Sequence, residues 1–236
     1  MVSSVRVVGR LDKAGGFSLS TLALAGIGLV LGIRHAADSD HVVAVTAIAA
    51  RHRRVAPAAF VGLVWGLGHS LTICTVGGLI ILFNIVVPPR VGLALEFAVG
   101  IALTVVGTLN VAGKSGFLTS AAEDGKATGL RAFVVGVVHG LAGSAAVALL
   151  VLATVRDTAA ACLYLLVFGL GTICGMMLIT VAFASPVAVL AQRYSWNGSA
   201  LRLATGLLSL AFGAYVMIQV GLVDGLFRAV PHWEPR

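Results

Sequence analysis

Gly32-Ile-Arg-His-Ala-Ala-Asp-Ser-Asp-His-Val-Val-Ala-Val45 returns roughly a hundred residues later as Gly136-Val-Val-His-Gly-Leu-Ala-Gly-Ser-Ala-Ala-Val-Ala-Leu149. The glycine, the histidine (His35 and His139) and a Val-Ala pair stay in register. At nearly the same offset Val64-Trp-Gly-Leu-Gly68 meets Val167-Phe-Gly-Leu-Gly171, and Leu95, Gly100 and Gly107 meet Leu201, Gly206 and Gly213. One such match between glycine-rich apolar segments is weak, but three in the same order indicate duplication.

Working outward, apolar runs separated by breakers predict spans over 18–50, 58–86, 91–112, 131–155, 159–190 and 199–223. The breakers are Pro57, Pro88 with Pro89, the polar 114–128 linker, Arg156 with Asp157, and 193–198. Each copy of the repeat then holds three helices. Three is odd, so the second copy enters the membrane from the opposite side. The expected fold is an all-α membrane protein of six transmembrane helices in an inverted 3+3 repeat, an arrangement whose substrate site lies near the bilayer midplane. The expected organisation is a basic N-terminal segment (1–17), one transmembrane domain (18–223, with repeats over about 18–112 and 131–223) and a C-terminal tail (224–236). Because 131–155 counts as one span, the repeat implies that 18–50 is one long helix.

Composition agrees with lipid as the solvent: 59% of residues are hydrophobic and 11% charged, against roughly 25% charged in soluble domains. The formal charge of +7 sits in short clusters between apolar runs, such as Arg51, Arg53 and Arg54. That is the pattern of membrane-surface anchors and not of a nucleic-acid face. The compact Arg51–Arg54 run predicts a cytoplasmic loop there, with both termini outside. The apolar run from Phe17 continues into further apolar sequence where a signal peptide would offer a cleavage site. Cys74, Cys162 and Cys174 form no C-x-x-C pair, which argues against a thiol redox centre or a thiolate metal site.

Within the spans, ionisable side chains concentrate in one place: Arg34, His35, Asp38, Asp40 and His41, with His69 and His139 in later helices. Each charge at the bilayer centre costs about 3 kcal/mol on insertion scales, so such a group calls for a ligand or an ion pathway. On a continuous helix His35, Asp38 and His41 share a sector of roughly 120°, and Asp40 points elsewhere. Two imidazoles and a carboxylate can then converge, and Asp40 can fix the tautomer of a histidine on a neighbouring helix. Such a donor set suits nickel, cobalt or zinc, with no thiolate to draw copper(I). The alternatives are an ion-pair network with Arg34, a proton relay, and, for His69 or His139 alone, a simple interhelix hydrogen bond. Glu96 reads as a helix N-terminal charge or an interhelix contact. Trp65, Met176 and Met177 read as packing, and His52 and His232 as solvated.

The H-x-x-x-x-D-H pattern of His35 to His41, followed by Leu67-Gly-His-Ser70, resembles the nickel/cobalt transporter family, and the short layout is most similar to its urease-accessory branch. The resemblance implies metal recognition by His35, Asp38, Asp40, His41 and His69; the repeat adds His139. Helix four carries Ala142, Ser144 and Ala145 where helix one carries Asp38, Asp40 and His41, so the predicted site is asymmetric. The expected activity is secondary transport of Ni2+ or Co2+ as substrate, with no catalytic residues and no permanent cofactor. The expected setting is the cell membrane, multi-pass, with lipid and a divalent ion as partners, no nucleic acid, and a metallochaperone or a second copy as admissible protein partners. A membrane-embedded redox or sulfur-handling protein, and a membrane metalloenzyme, are the competing readings.

Overall fold

The computed structural model describes residues 19–49, 54–83, 88–113, 125–141, 157–193 and 199–233. Among them every regular element is helical, as a chain in lipid requires when no water is present to satisfy its backbone groups. The helices are α1 (Leu19–Ala36), α2 (Ser39–Ala49), α3 (Val55–Phe83), α4 (Pro89–Val111), α5 (Gly125–Leu141), α6 (Thr158–Arg193) and α7 (Ser199–Ile218), which runs on into a π-turn over Gln219–Val223. Pro89 opens α4, where its missing N–H costs nothing. Gly113 ends that helix at φ +69, a conformation that disfavours residues with a Cβ.

Four helices are long and apolar enough to cross a membrane, over Val55–Phe83, Pro89–Val111, Thr158–Pro186 and Ser199–Val223. A fifth crossing arises if the bent pair α1–α2 is one broken span. The protein is therefore a multi-pass helical membrane protein. The start of α5 precedes the expected span, and residues 142–156, which hold the rest of that span, lie outside the described residues.

The long first helix expected from the repeat is corrected. The chain breaks between α1 and α2 and bends by 51°. Ala37 N–H donates to the Arg34 carbonyl at 2.8 Å and Asp38 N–H to the His35 carbonyl at 3.1 Å, closing α1 in a tighter turn. Val42 N–H then donates to the Asp38 carbonyl at 3.0 Å and starts α2 afresh. Neither glycine nor proline marks the break. Asp38-Ser39-Asp40 does, because these are residues that favour helix starts.

Helix α6 packs against α1 and α3, α3 also packs against α5, and α4 pairs with α7; α2 touches α4, α6 and α7. Glycines bring these backbones together. A Cβ at Gly32 would run into the Phe168 carbonyl and one at Gly171 into the Leu29 carbonyl, so α1 and α6 meet backbone to backbone. A Cβ at Gly136 would strike the Trp65 carbonyl and one at Gly68 the Phe133 carbonyl, so α3 and α5 do the same. In the α4–α7 pair, Gly100 lies against the Gly213 carbonyl and Gly107 against the Gly206 carbonyl. Gly136→Val is expected to push α5 off α3 and cost about 1–3 kcal/mol, read as a lower thermal midpoint in detergent. Gly26→Ala and Gly78→Ala, where a Cβ meets nothing within 4 Å, should hold or raise that midpoint, since alanine is favoured over glycine in a helix interior by about 0.5–1 kcal/mol.

Candidate metal centre

The helix break places His35 on the last turn of α1, and Asp40 and His41 on the first turn of α2, facing His69 of α3 and His139 of α5. All four histidines are buried. Their rings crowd together, with His41 centroids 4.8 Å from His35, 4.9 Å from His69 and 4.6 Å from His139. One donor atom from each of His35, His41 and His69 lies within 4.8 Å of the others, and the same holds for Asp40, His41 and His139. His41 belongs to both triads.

Carboxylates orient the outer rings. Asp38 Oδ2 lies 3.1 Å from His35 Nδ1, which holds the proton there and leaves the Nε2 lone pair directed inward. His69 Nε2 is 2.9 Å from that atom, so it donates its N–H and keeps Nδ1 bare; His69 Nδ1 is buried with no hydrogen-bond partner. On the other side His139 Nε2–H donates to Asp40 Oδ2 at 3.0 Å. His41 sits between the two arrangements. Its Nδ1 is 3.3 Å from Asp40 Oδ1, without hydrogen-bond geometry, and neither ring nitrogen has a hydrogen-bond partner. Leaving a buried polar nitrogen unpaired costs about 1–3 kcal/mol. A neutral His41 ring carries one N–H, so one lone pair on His41 and one on His69 are left over, and together they mark a pocket shaped for something that takes lone pairs.

All six residues singled out from the sequence come together here, with a different division of labour from the one expected on a continuous helix. Asp38 stays at the rim with its side chain 43% exposed and reaches only His35. Asp40, expected to point away, enters the cluster with its side chain 16% exposed, because the break re-aims the first turn of α2. Its contact with His139 on a neighbouring helix is the one anticipated for it. The positions of Ala142, Ser144 and Ala145, and His52, lie outside the described residues. Glu96 accepts a hydrogen bond from Trp233 Nε1–H at 2.8 Å, an interelement contact. Met176 is fully buried packing. The three cysteines are all free.

Two aromatic neighbours went unassigned to the site by the sequence reading. Trp65 stands 5.7 Å from His139 and 6.2 Å from His41, and Phe168 stands 5.5 Å from His35. The signal was present: Trp65 and Phe168 occupy the same position of the repeat. They wall the cluster with apolar surface and keep water from its flanks.

A bent helix that carries a cluster of four buried histidines with carboxylates at its edge, inside a bundle of apolar spans, defines a membrane protein with a site able to hold a metal ion. The chain is 32% identical over 219 residues to the urease accessory protein UreH of Bacillus sp. (strain TB-90), a match that takes in 88% of this chain and 96% of the relative. It belongs to the UreH family, the short urease-accessory branch that its His35–His41 and Leu67–Ser70 motifs resemble. No family model matches the chain, and no solved structure matches it.

Proposed function

We propose that the protein is a secondary transporter that carries Ni2+ across the cell membrane through the histidine cluster. The observation that carries this reading is the pair of donor triads sharing His41, whose nitrogens make no hydrogen bond and whose Nδ1 stands 3.3 Å from Asp40 Oδ1. His35 Nε2 and His69 Nε2 stand 2.9 Å apart in a hydrogen bond, so an ion taken up between them would replace the proton on His69 Nε2, coupling metal binding to proton release. Imidazole with carboxylate is a donor set that nickel favours. Likeness to a urease accessory protein selects nickel, the metal urease requires, over cobalt. Because the triads share a ligand, one ion occupies one of them at a time. An ion passing from His35, His41 and His69 to Asp40, His41 and His139 keeps His41 throughout and exchanges the others.

The inverted 3+3 architecture of six spans completes the reading, and the glycine contacts support it. Exchanging the two sequence repeats turns the contact of Gly32 with the Phe168 carbonyl into that of Gly136 with the Trp65 carbonyl, and turns Gly171 on Leu29 into Gly68 on Phe133. It also exchanges Gly100–Gly213 with Gly206–Gly107, and the Phe168–His35 ring pair with Trp65–His139. Thr172 then falls where His69 stands in the first repeat, which leaves the site one-sided.

The test is nickel uptake into cells or proteoliposomes, normalised to protein in the membrane, for the parent protein and His35→Ala. Loss of accumulation by at least about tenfold is expected, since the ring that Asp38 orients is removed. Cobalt is run alongside. Accumulation equal to the parent's would sink the site.

A further inference from the structure

Between α2, α4 and α7 lies a cavity of about 360 Å³ whose polar lining is Asp38, Ser39 and Asp40 at the helix break, Glu96 of α4, and Tyr215 and Gln219 at the end of α7. The remaining lining is apolar. The α4–α7 pair is antiparallel, as Gly100 opposite Gly213 and Gly107 opposite Gly206 require, so the start of α4 and the end of α7 share one end of the bundle. Glu96 sits two turns into α4, about 10 Å from its start at 1.5 Å per residue. The cavity therefore runs from that end of the bundle inward to Asp38 and Asp40, the carboxylates that hold His35 and His139.

The segment after α7 folds back over the start of α4, next to Glu96. The ring of Trp233 lies over Gly92, where any Cβ would strike it, and Trp233 Nε1–H donates to Glu96. Arg90 Nη2 donates to the Ala229 carbonyl at 3.3 Å. Gln219 Nε2 donates to Asp224 Oδ1 at 3.2 Å, and the π-turn at Gln219–Val223 widens the helix where it lines the cavity.

We propose that this cavity is the vestibule through which the divalent cation, still hydrated, reaches the histidine cluster, and that Glu96 is the carboxylate that receives it. The proposal rests on the transport reading. The volume accommodates an ion with a first shell of water, each water taking about 30 Å³ of liquid volume. Apolar walls focus the field of the carboxylates lining them and raise the local cation concentration. From Glu96 the ion moves inward to Asp38 and Asp40. Shedding water there, it meets the unpaired nitrogens of His41, which lie behind Asp40. On the orientation read from the Arg51–Arg54 run, the mouth faces the outside, the side from which uptake starts.

The experiment measures initial rates of Ni2+ uptake into proteoliposomes across nickel concentration, with nickel bound per purified protein at saturation, for the parent, Glu96→Gln, Glu96→Asp and Trp233→Phe. Glu96→Gln keeps the shape and an oxygen for Trp233 but removes the charge. It should raise the half-saturating concentration about tenfold and leave the maximal rate and bound nickel unchanged. Glu96→Asp should restore much of the loss. Trp233→Phe keeps a ring over Gly92, removes the N–H, and should leave half-saturation at the parent value. Parent-like half-saturation in Glu96→Gln would overturn the proposal. So would a Trp233→Phe variant as impaired as Glu96→Gln, since the hydrogen bond to the tail and not the charge would then set the half-saturating concentration. Failure of the transport reading looks different: the parent protein itself neither binds nor accumulates nickel, and the vestibule falls with it.

Discussion

His41→Ala is expected to abolish nickel accumulation and to cut nickel bound by the purified protein by more than about a hundredfold in affinity. No other side chain belongs to both donor triads, so its loss takes one ligand from each and leaves no intact set of three. The folding consequences run the other way. The ring makes no hydrogen bond, so alanine removes two unpaired buried nitrogens along with the packing of a fully buried ring, and the two effects partly offset one another. Protein should remain in the membrane, with thermal unfolding in detergent shifted far less than metal content. Nickel retained at the parent level in His41→Ala would remove the cluster from the mechanism.

Asp40→Asn is the next largest effect, about 10–100-fold in nickel affinity, with accumulation lost in proportion. The substitution is close to isosteric, and the amide oxygen can still accept His139 Nε2–H, so ring orientation survives and the charge alone is removed. An ion leaving its water for this site loses the one carboxylate that belongs to a donor triad. Asp38→Asn should cost less than about tenfold, because its side chain is partly exposed and touches the cluster only through His35. The order of these two variants is the informative result: a larger loss in Asp38→Asn would favour the geometry of an unbroken helix, where Asp38 and not Asp40 faces inward. Isothermal titration at fixed pH separates the two. Protons compete with the metal for the imidazole lone pairs, so affinity in every variant should fall as pH is lowered.

Much of this was legible in the residues themselves. The register that pairs His35 with His139 and Trp65 with Phe168 needs only the spacing of glycines, because each glycine marks a backbone approach that a side chain would block. The cost of charge in lipid similarly singled out His35, Asp38, Asp40, His41, His69 and His139. The break after Ala36 was harder to see. Ala36-Ala37 favours helix, and the signal lay in Asp38-Ser39-Asp40, whose helix-starting chemistry also reads as metal chemistry. One sequence feature served two purposes, and the site reading hid the structural one. That single bend is why the expected roles of Asp38 and Asp40 were exchanged. The tail's return onto α4 had no local signal at all, since the contact of Trp233 with Gly92 and Glu96 joins positions far apart in the chain.

Gly100, Gly107, Gly206 and Gly213 let the α4 and α7 backbones close to contact, and the side chains of Met217, Leu210, Asn110 and Thr104 fill the space around them. Ser209 Oγ–H donates to the Leu103 carbonyl at 2.8 Å across the same crossing. Interdigitated side chains act like gear teeth and must be disengaged before two helices can turn past one another. Here the teeth are meshed and a bond pins them, so the pair behaves as one strut. A bulky residue at Gly107 would pry that strut open without touching the metal.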